Sequence, residues 1–205
     1  RLQTLSDSGH DDEVVKLGEY LWRLGNEQVG SSDDEGETGT QISECMEVVL
    51  RAVTKSSLAT RDKILWVIDA HLSDDYGLLD DKEDHLAKLT DKQSWSEVAE
   101  SLLGRLDGMP ATPKKSDFSS GYHRQRIMDW AIEALERSGR PTDIIPLLER
   151  EAPITQCYGT LVERLISEKR MTEAKAVAVD GFQQTVDSAP GIAWDLESKL
   201  LRMAE

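Results

Sequence analysis

Ser138-Gly139-Arg140-Pro141-Thr142-Asp143-Ile144 returns thirty residues later as Glu168-Lys169-Arg170-Met171-Thr172-Glu173-Ala174. The likeness extends to both sides of this stretch. Met128 aligns with Tyr158, Ala131 with Leu161, Leu135 with Leu165, Leu147 with Val177 and Leu148 with Ala178. A period of this length marks stacked helical hairpins, because one hairpin cannot bury its own apolar face and leans on its neighbours. The aligned apolar positions recur at three- and four-residue steps, which places them on one helix face either side of a polar turn. The expectation is an all-α chain built as a helical-hairpin repeat array, wound as a right-handed α-α superhelix.

Working outward, the repeats read as helix pairs over 120–138 with 141–151 and over 155–169 with 171–186. A last helix covers 190–203, with Pro190 suited to its first turn. Upstream, residues 12–26 carry apolar spacing at Val14, Leu17, Leu21 and Leu24 with Val15 and Trp22 alongside, and Gly25-Asn26 ends the helix. Residues 30–39 contain no apolar residue and are expected to form a disordered, solvated loop, since nothing there offsets the entropy of ordering. A second helix covers 41–55. A third covers 58–72, apolar most of the way round and therefore expected to be an inner helix with Trp66 in the core. A short segment over 83–90 precedes a helix over 94–106, where Ser94 and Glu97 have capping-box spacing. Residues 107–120, rich in Gly, Pro, Lys and Ser, are the expected linker. They separate an acidic helical region over 1–106 from the repeats over 121–205. No stretch keeps the period-two pattern of a strand.

The 205 residues carry a net charge of −15, unevenly spread. Residues 1–100 hold 10 Lys and Arg against 23 Asp and Glu, or −13, and the remainder holds 14 against 16, or −2. An acidic front half repels phosphate backbones, so direct nucleic-acid binding is not expected; the excess favours a basic partner or simply serves solubility, the plainer of the two readings. Mean hydropathy is −0.47 and no apolar run approaches the roughly 20 residues that cross a bilayer, so no membrane partner is expected. The chain begins Arg1-Leu2-Gln3-Thr4, without an apolar signal core or an initiator Met, and reads as a fragment or a processed product. Cys45 and Cys157, both on apolar faces, read as free core thiols of a cytoplasmic protein, although sequence alone leaves a disulfide open.

The richest polar cluster is Asp69, His71, Asp74, Asp75, Asp80, Asp81, Glu83, Asp84 and His85. Carboxylates and imidazoles are ordinary ligands for zinc, manganese or iron, and Asp80 with Asp84, or Asp81 with His85, could share a helix face. Asp is also favoured at turns for backbone reasons, and no Glu-x-x-His pair on another helix completes a site. Phosphate-loop, dinucleotide-binding, H-E-x-x-H and C-x-x-C motifs are absent, so neither cofactor nor catalytic residues are assigned. All five tryptophans, Trp22, Trp66, Trp130 and Trp194 within helices beside aliphatic residues and Trp95 in a first turn, are expected to fill core volume, whereas an exposed one would mark a peptide-binding groove.

Residues 61–81, from Arg61 through Asp74-Asp75-Tyr76-Gly77-Leu78 to Asp81, followed by Trp95-Ser96-Glu97-Val98-Ala99, resemble the helical region downstream of the zinc finger in bacterial SWIM-type zinc-finger proteins. Tyr158 to Gly181 resembles a tetratricopeptide-like hairpin. The Cys-x-Cys and Cys-x-His pairs of the finger are absent, so the family's zinc and DNA roles do not carry over. The resemblance implies an accessory helical module of a larger bacterial protein. The leading expectation is a non-catalytic scaffold for a protein partner, with Asp74, Asp75, Tyr76, Asp80 and Asp81 as candidate partner-binding residues. The alternative is an enzyme or metal-binding domain built on the cluster over 69–85.

Overall fold

The repeated stretch folds as the same helix-ending turn in both copies. In the first, the Gly139 amide donates to the Glu136 carbonyl at 3.0 Å and the Arg140 amide to the Leu135 carbonyl at 2.8 Å. In the second, Lys169 donates to Ile166 and Arg170 to Leu165, each at 2.9 Å. This paired pattern satisfies the orphan carbonyls of a helix end and requires a left-handed residue at its corner. Gly139 has φ +79° and Lys169 has φ +62°. Each arginine then reaches three residues forward, Arg140 to Asp143 at 2.8 Å and Arg170 to Glu173 at 2.7 Å. The same turn occurs a third time near the N-terminus, where the sequence reading missed it. Gly9 at φ +79° donates to Ser6, His10 donates to Leu5, and the His10 ring approaches Glu13.

Lysine is the odd member at that corner, since a Cβ crowds the following carbonyl in the left-handed region. Lys169→Gly should therefore raise stability by about 0.5–1 kcal/mol, read as a higher unfolding midpoint in urea. A lower midpoint would mean that the Lys169 stem contributes more by packing than its backbone loses.

The computed structural model describes residues 1–33, 36–79, 85–111 and 118–204. Among the described residues there are ten α-helices, one 3-10 turn and no strand. They are α1 (Leu2–Asp7), α2 (Asp11–Ser31), α3 (Glu37–Lys55), α4 (Thr60–Leu72), α5 (Lys92–Asp107), α6 (Phe118–Ser138), α7 (Ile144–Thr155), α8 (Tyr158–Ser167), α9 (Met171–Thr185) and α10 (Pro190–Arg202), with the 3-10 turn Pro141–Asp143 ahead of α7. The all-α expectation holds. The chain divides into two compact units, Arg1–Ser101 and Leu102–Glu205, so the division falls inside α5 rather than in the expected linker over 107–120. Residues 112–117 of that linker lie outside the described ones.

In the N-terminal unit, α1 packs on α2 and α3, α2 on α3, and α3 on α4. Asp12 ties the start of α2 to the α3–α4 connection by accepting the Ser57 amide and hydroxyl, both at 2.7 Å. These bonds, the amide first, hold its carboxyl below the usual range. Gly25-Asn26 does not end α2, which continues to Ser31, and α3 already begins at Glu37. Most of the described part of the expected 30–39 loop is therefore helical. The reason is packing: a Cβ on Gly18 would collide with Val49, and one on Gly25 would lie 2.9 Å from the Ile42 Cδ1. The two glycines let α2 and α3 approach closely. They also turn the helix, burying Val14, Val15, Gly18, Trp22 and Gly25 while leaving Leu17 and Leu24 exposed.

In the C-terminal unit consecutive helices pack from α6 to α10, and α8 also meets α10. The aligned positions Met128, Ala131, Leu135, Ile144, Leu147 and Leu148 are buried, as are Tyr158, Leu161, Leu165, Ala174 and Ala178 in the second copy. Val177 is half-buried. Both cysteines are free thiols. Burial pushes the Cys157 thiol up, so it packs as a small protonated hydrophobe near Met128.

Candidate interaction site on the N-terminal unit

α4 is not buried all round. Ile64, Val67, Ile68, Ala70 and Leu72 are buried, but Trp66 is half-buried and Asp69 exposed. Asp69 and Ala70 lie three and four residues after Trp66, and Ser73 lies four and three after them, so the four residues share a face. On α2, Glu19 and Trp22 do the same. These six residues line one cleft of about 300 Å³. Trp22 is only 7% exposed and its indole Nε1 donates to Ser73 Oγ at 2.8 Å. That bond pins the last turn of α4 to α2. Ser73 Oγ in turn donates back to the Asp69 carbonyl at 2.8 Å.

The loop after α4 is organised by one carboxylate. Asp74 Oδ1 accepts the amides of Tyr76 at 3.3 Å and Leu78 at 3.0 Å, and Oδ2 accepts that of Leu79 at 2.9 Å. Short aspartates commonly substitute for backbone partners in such turns. Asp74 is thus committed to holding its own loop, whereas Asp75 and Tyr76 project outward, Tyr76 with half its surface exposed at 51%. The Tyr76 hydroxyl lies against Gly30 of α2, beside a second cleft of about 620 Å³ whose lining includes Val29, Ser32, Gly36, Thr40 and Leu78. The candidate residues Asp80 and Asp81 lie outside the described residues, as do Glu83 and Asp84.

The metal alternative finds no assembled ligand set among the described residues, where no three His, Cys, Asp or Glu side chains come together. His71 is half-buried in the last turn of α4, and His85 is buried. No described helix is long and apolar enough to cross a membrane.

Two tryptophans depart from the expected core placement. Trp194 is 71% exposed on α10, and Trp66 forms a wall of the cleft. Sequence reading missed Glu19 and the pairing of Trp22 with Trp66 because the two helices meet only in the tertiary fold. The available signal was the polar interruption at Asp69 in an otherwise apolar helix, which marks an open side.

Compared with known proteins, the chain matches no family model, no curated protein and no solved structure.

Proposed function

We propose that this protein is a non-catalytic helical scaffold that holds a protein partner with a basic surface. The observation that carries this reading is the 30-residue unit in which the turn, its left-handed corner, its Arg-to-carboxylate bond and the flanking buried positions all recur. Recurrence at that level favours tetratricopeptide-like hairpins stacked as a right-handed superhelix, in which helices such as α8 and α10 meet across an intervening one. Stacks of this kind offer extended surfaces for partners. The acidic excess of the first 100 residues, together with exposed Asp75 and Tyr76 beside the clefts, supports a basic partner and argues against nucleic acid. An accessory place in a larger bacterial protein, as the SWIM-type resemblance implies, fits a module of this kind, and so does a cytoplasmic setting.

The test is recovery of partners from the native host on the immobilised chain, followed by elution with salt. A specific partner should be basic at its contact surface and should leave as salt rises from about 0.1 to about 1 M, where exposed charges are screened over only about 3 Å. Replacing Asp75 by Asn should weaken the capture without unfolding the loop that Asp74 organises. A partner that is acidic, or that stays bound through the salt step, would overturn the reading.

A further inference from the structure

We propose that α10 pairs antiparallel with the α10 of a second copy of this chain, so that the protein self-associates through its C-terminal unit as a weak two-fold dimer. The two most exposed large apolar side chains among the described residues are Trp194 at 71% and Leu201 at 66%, and both belong to this helix. They stand two turns apart and so share one face. The other side of α10 buries Ala193, Leu196 and Lys199 in the unit's own core. A helix apolar on two opposite sides is built to be packed on both. Between the two large residues lies Ser198, whose Oγ donates to the Trp194 carbonyl at 2.9 Å. A small side chain there lets a second helix approach, and its hydroxyl is not stranded when water leaves. A dimer of this kind carries two acidic N-terminal units, which raises avidity for a repeated partner.

The second copy is the occupant that the charges on this face select. Exposed Arg202 follows Leu201, and its guanidinium makes no hydrogen bond or ion pair among the described residues. The face therefore carries a bare indole towards its N-terminal end and a bare cation at its C-terminal end. A helix that matches both must present them in reverse order, and an antiparallel copy does so by symmetry. Each Arg202 then lies over the Trp194 ring of the other copy, a cation–π contact made twice, with Leu201 packed against the same ring. A basic helix would instead crowd Arg202, and an acidic one would meet exposed Glu197 on the flank. Asp195 is not needed as a counter-charge, being bonded to Lys199 at 2.7 and 2.8 Å. Net charge points to the same unit: residues 101–205 carry only −2, against −13 for residues 1–100, so copies meet here with little repulsion. The face is short. Its 13 residues span about 20 Å and bury less than the roughly 800 Å² per partner of a standard interface, which sets the dissociation constant at about 10–100 µM. Close to the two-fold, Glu197 faces its own copy, a like-charge contact that weakens the pair and marks its register.

The inference goes beyond the scaffold reading and does not rest on it. Sedimentation equilibrium of the intact chain, with no other protein present, reads it directly over about 2–200 µM, where a reversible monomer–dimer equilibrium is expected. Trp194→Ala should weaken the dimer at least about thirtyfold, as the loss of a central aromatic anchor from both copies does. Arg202→Gln should weaken it about tenfold. Glu197→Gln should act in the opposite direction and tighten it about two- to fivefold, by removing the like-charge contact. All three side chains are exposed, so each variant should keep the parent's circular dichroism and urea midpoint. A chain that stays monomeric to the top of the concentration range overturns the proposal, and so does a dimer indifferent to Trp194→Ala. Species larger than a dimer, or weaker association after Glu197→Gln, rule out the antiparallel two-fold and overturn it as well. Capture of a different protein that Trp194→Ala abolishes, by a chain that never self-associates, gives the face to that protein and sinks the proposal without touching the scaffold reading.

Discussion

Replacing Glu151 by alanine should destabilise the C-terminal unit by about 3–5 kcal/mol, because it strands a buried guanidinium. Arg124 is 4% exposed and Glu151 wholly buried. They meet in a two-pronged pair, Nε to Oε2 at 2.6 Å and Nη2 to Oε1 at 3.0 Å. Further bonds support the pair: Arg124 Nη1 donates to the carbonyls of Met109 and Pro110 at 3.3 Å, and Arg150 Nε donates to Glu151 Oε1 at 3.0 Å. Arg150 also reaches Asp107 at 2.8 Å. One ion pair therefore fastens the segment leaving α5 to α6 and α7. Urea unfolding followed by circular dichroism measures the loss. Replacing both residues with Met and Leu should recover much of it, since a well-packed apolar substitute often matches a buried pair. A loss below about 1 kcal/mol in the single variant would show that water reaches Arg124 once Glu151 is gone.

That pair also shows where sequence reading stops. The helices and the repeated turn were legible because they are local: apolar residues at three- and four-residue steps, and a Gly or Lys corner followed by Arg and an acid. Glu151 follows Ile144, Leu147 and Leu148 on the same stripe, so its burial was readable, but its partner on α6 was not. Face selection failed on α2 for a related reason. Leu17 and Leu24 are the larger side chains, yet Gly18 and Gly25 face α3 because close approach of two helices rewards the absence of a side chain. Gly25-Asn26 has the form of a helix stop, yet Gly25 is a packing position. The capping-box spacing at Ser94 likewise points to the wrong start for α5: Asp91, not Ser94, caps the helix by accepting the Ser94 amide at 2.8 Å. Glu97 meanwhile takes a bond from Gln93. At the candidate site the turn around Asp74 followed from composition, but the cleft did not, since its two walls lie far apart in the chain.

Trp95→Ala should cost about 3–5 kcal/mol, more than any other tryptophan truncation in the N-terminal unit. Trp95 is wholly buried despite its place in the first turn of α5, and its indole Nε1 donates to the Leu89 carbonyl at 2.5 Å. Truncation leaves a large cavity and removes the donor from a buried acceptor, two losses that add. Trp66, which the apolar character of its helix marks as the core residue, should lose only about 1–2 kcal/mol on the same change, because its ring is only partly buried and lines the cleft. Urea titrations of the two variants, followed by far-ultraviolet circular dichroism, compare them directly. The order of the two losses is the decisive quantity. If Trp66→Ala proves the more damaging, the indole is a structural strut between α2 and α4, and its surface is not spare for a ligand. If Trp95 dominates and Trp66→Ala leaves the fold close to intact, the Trp66 ring is held in a place where folding gains little from it, as a surface kept for binding would be.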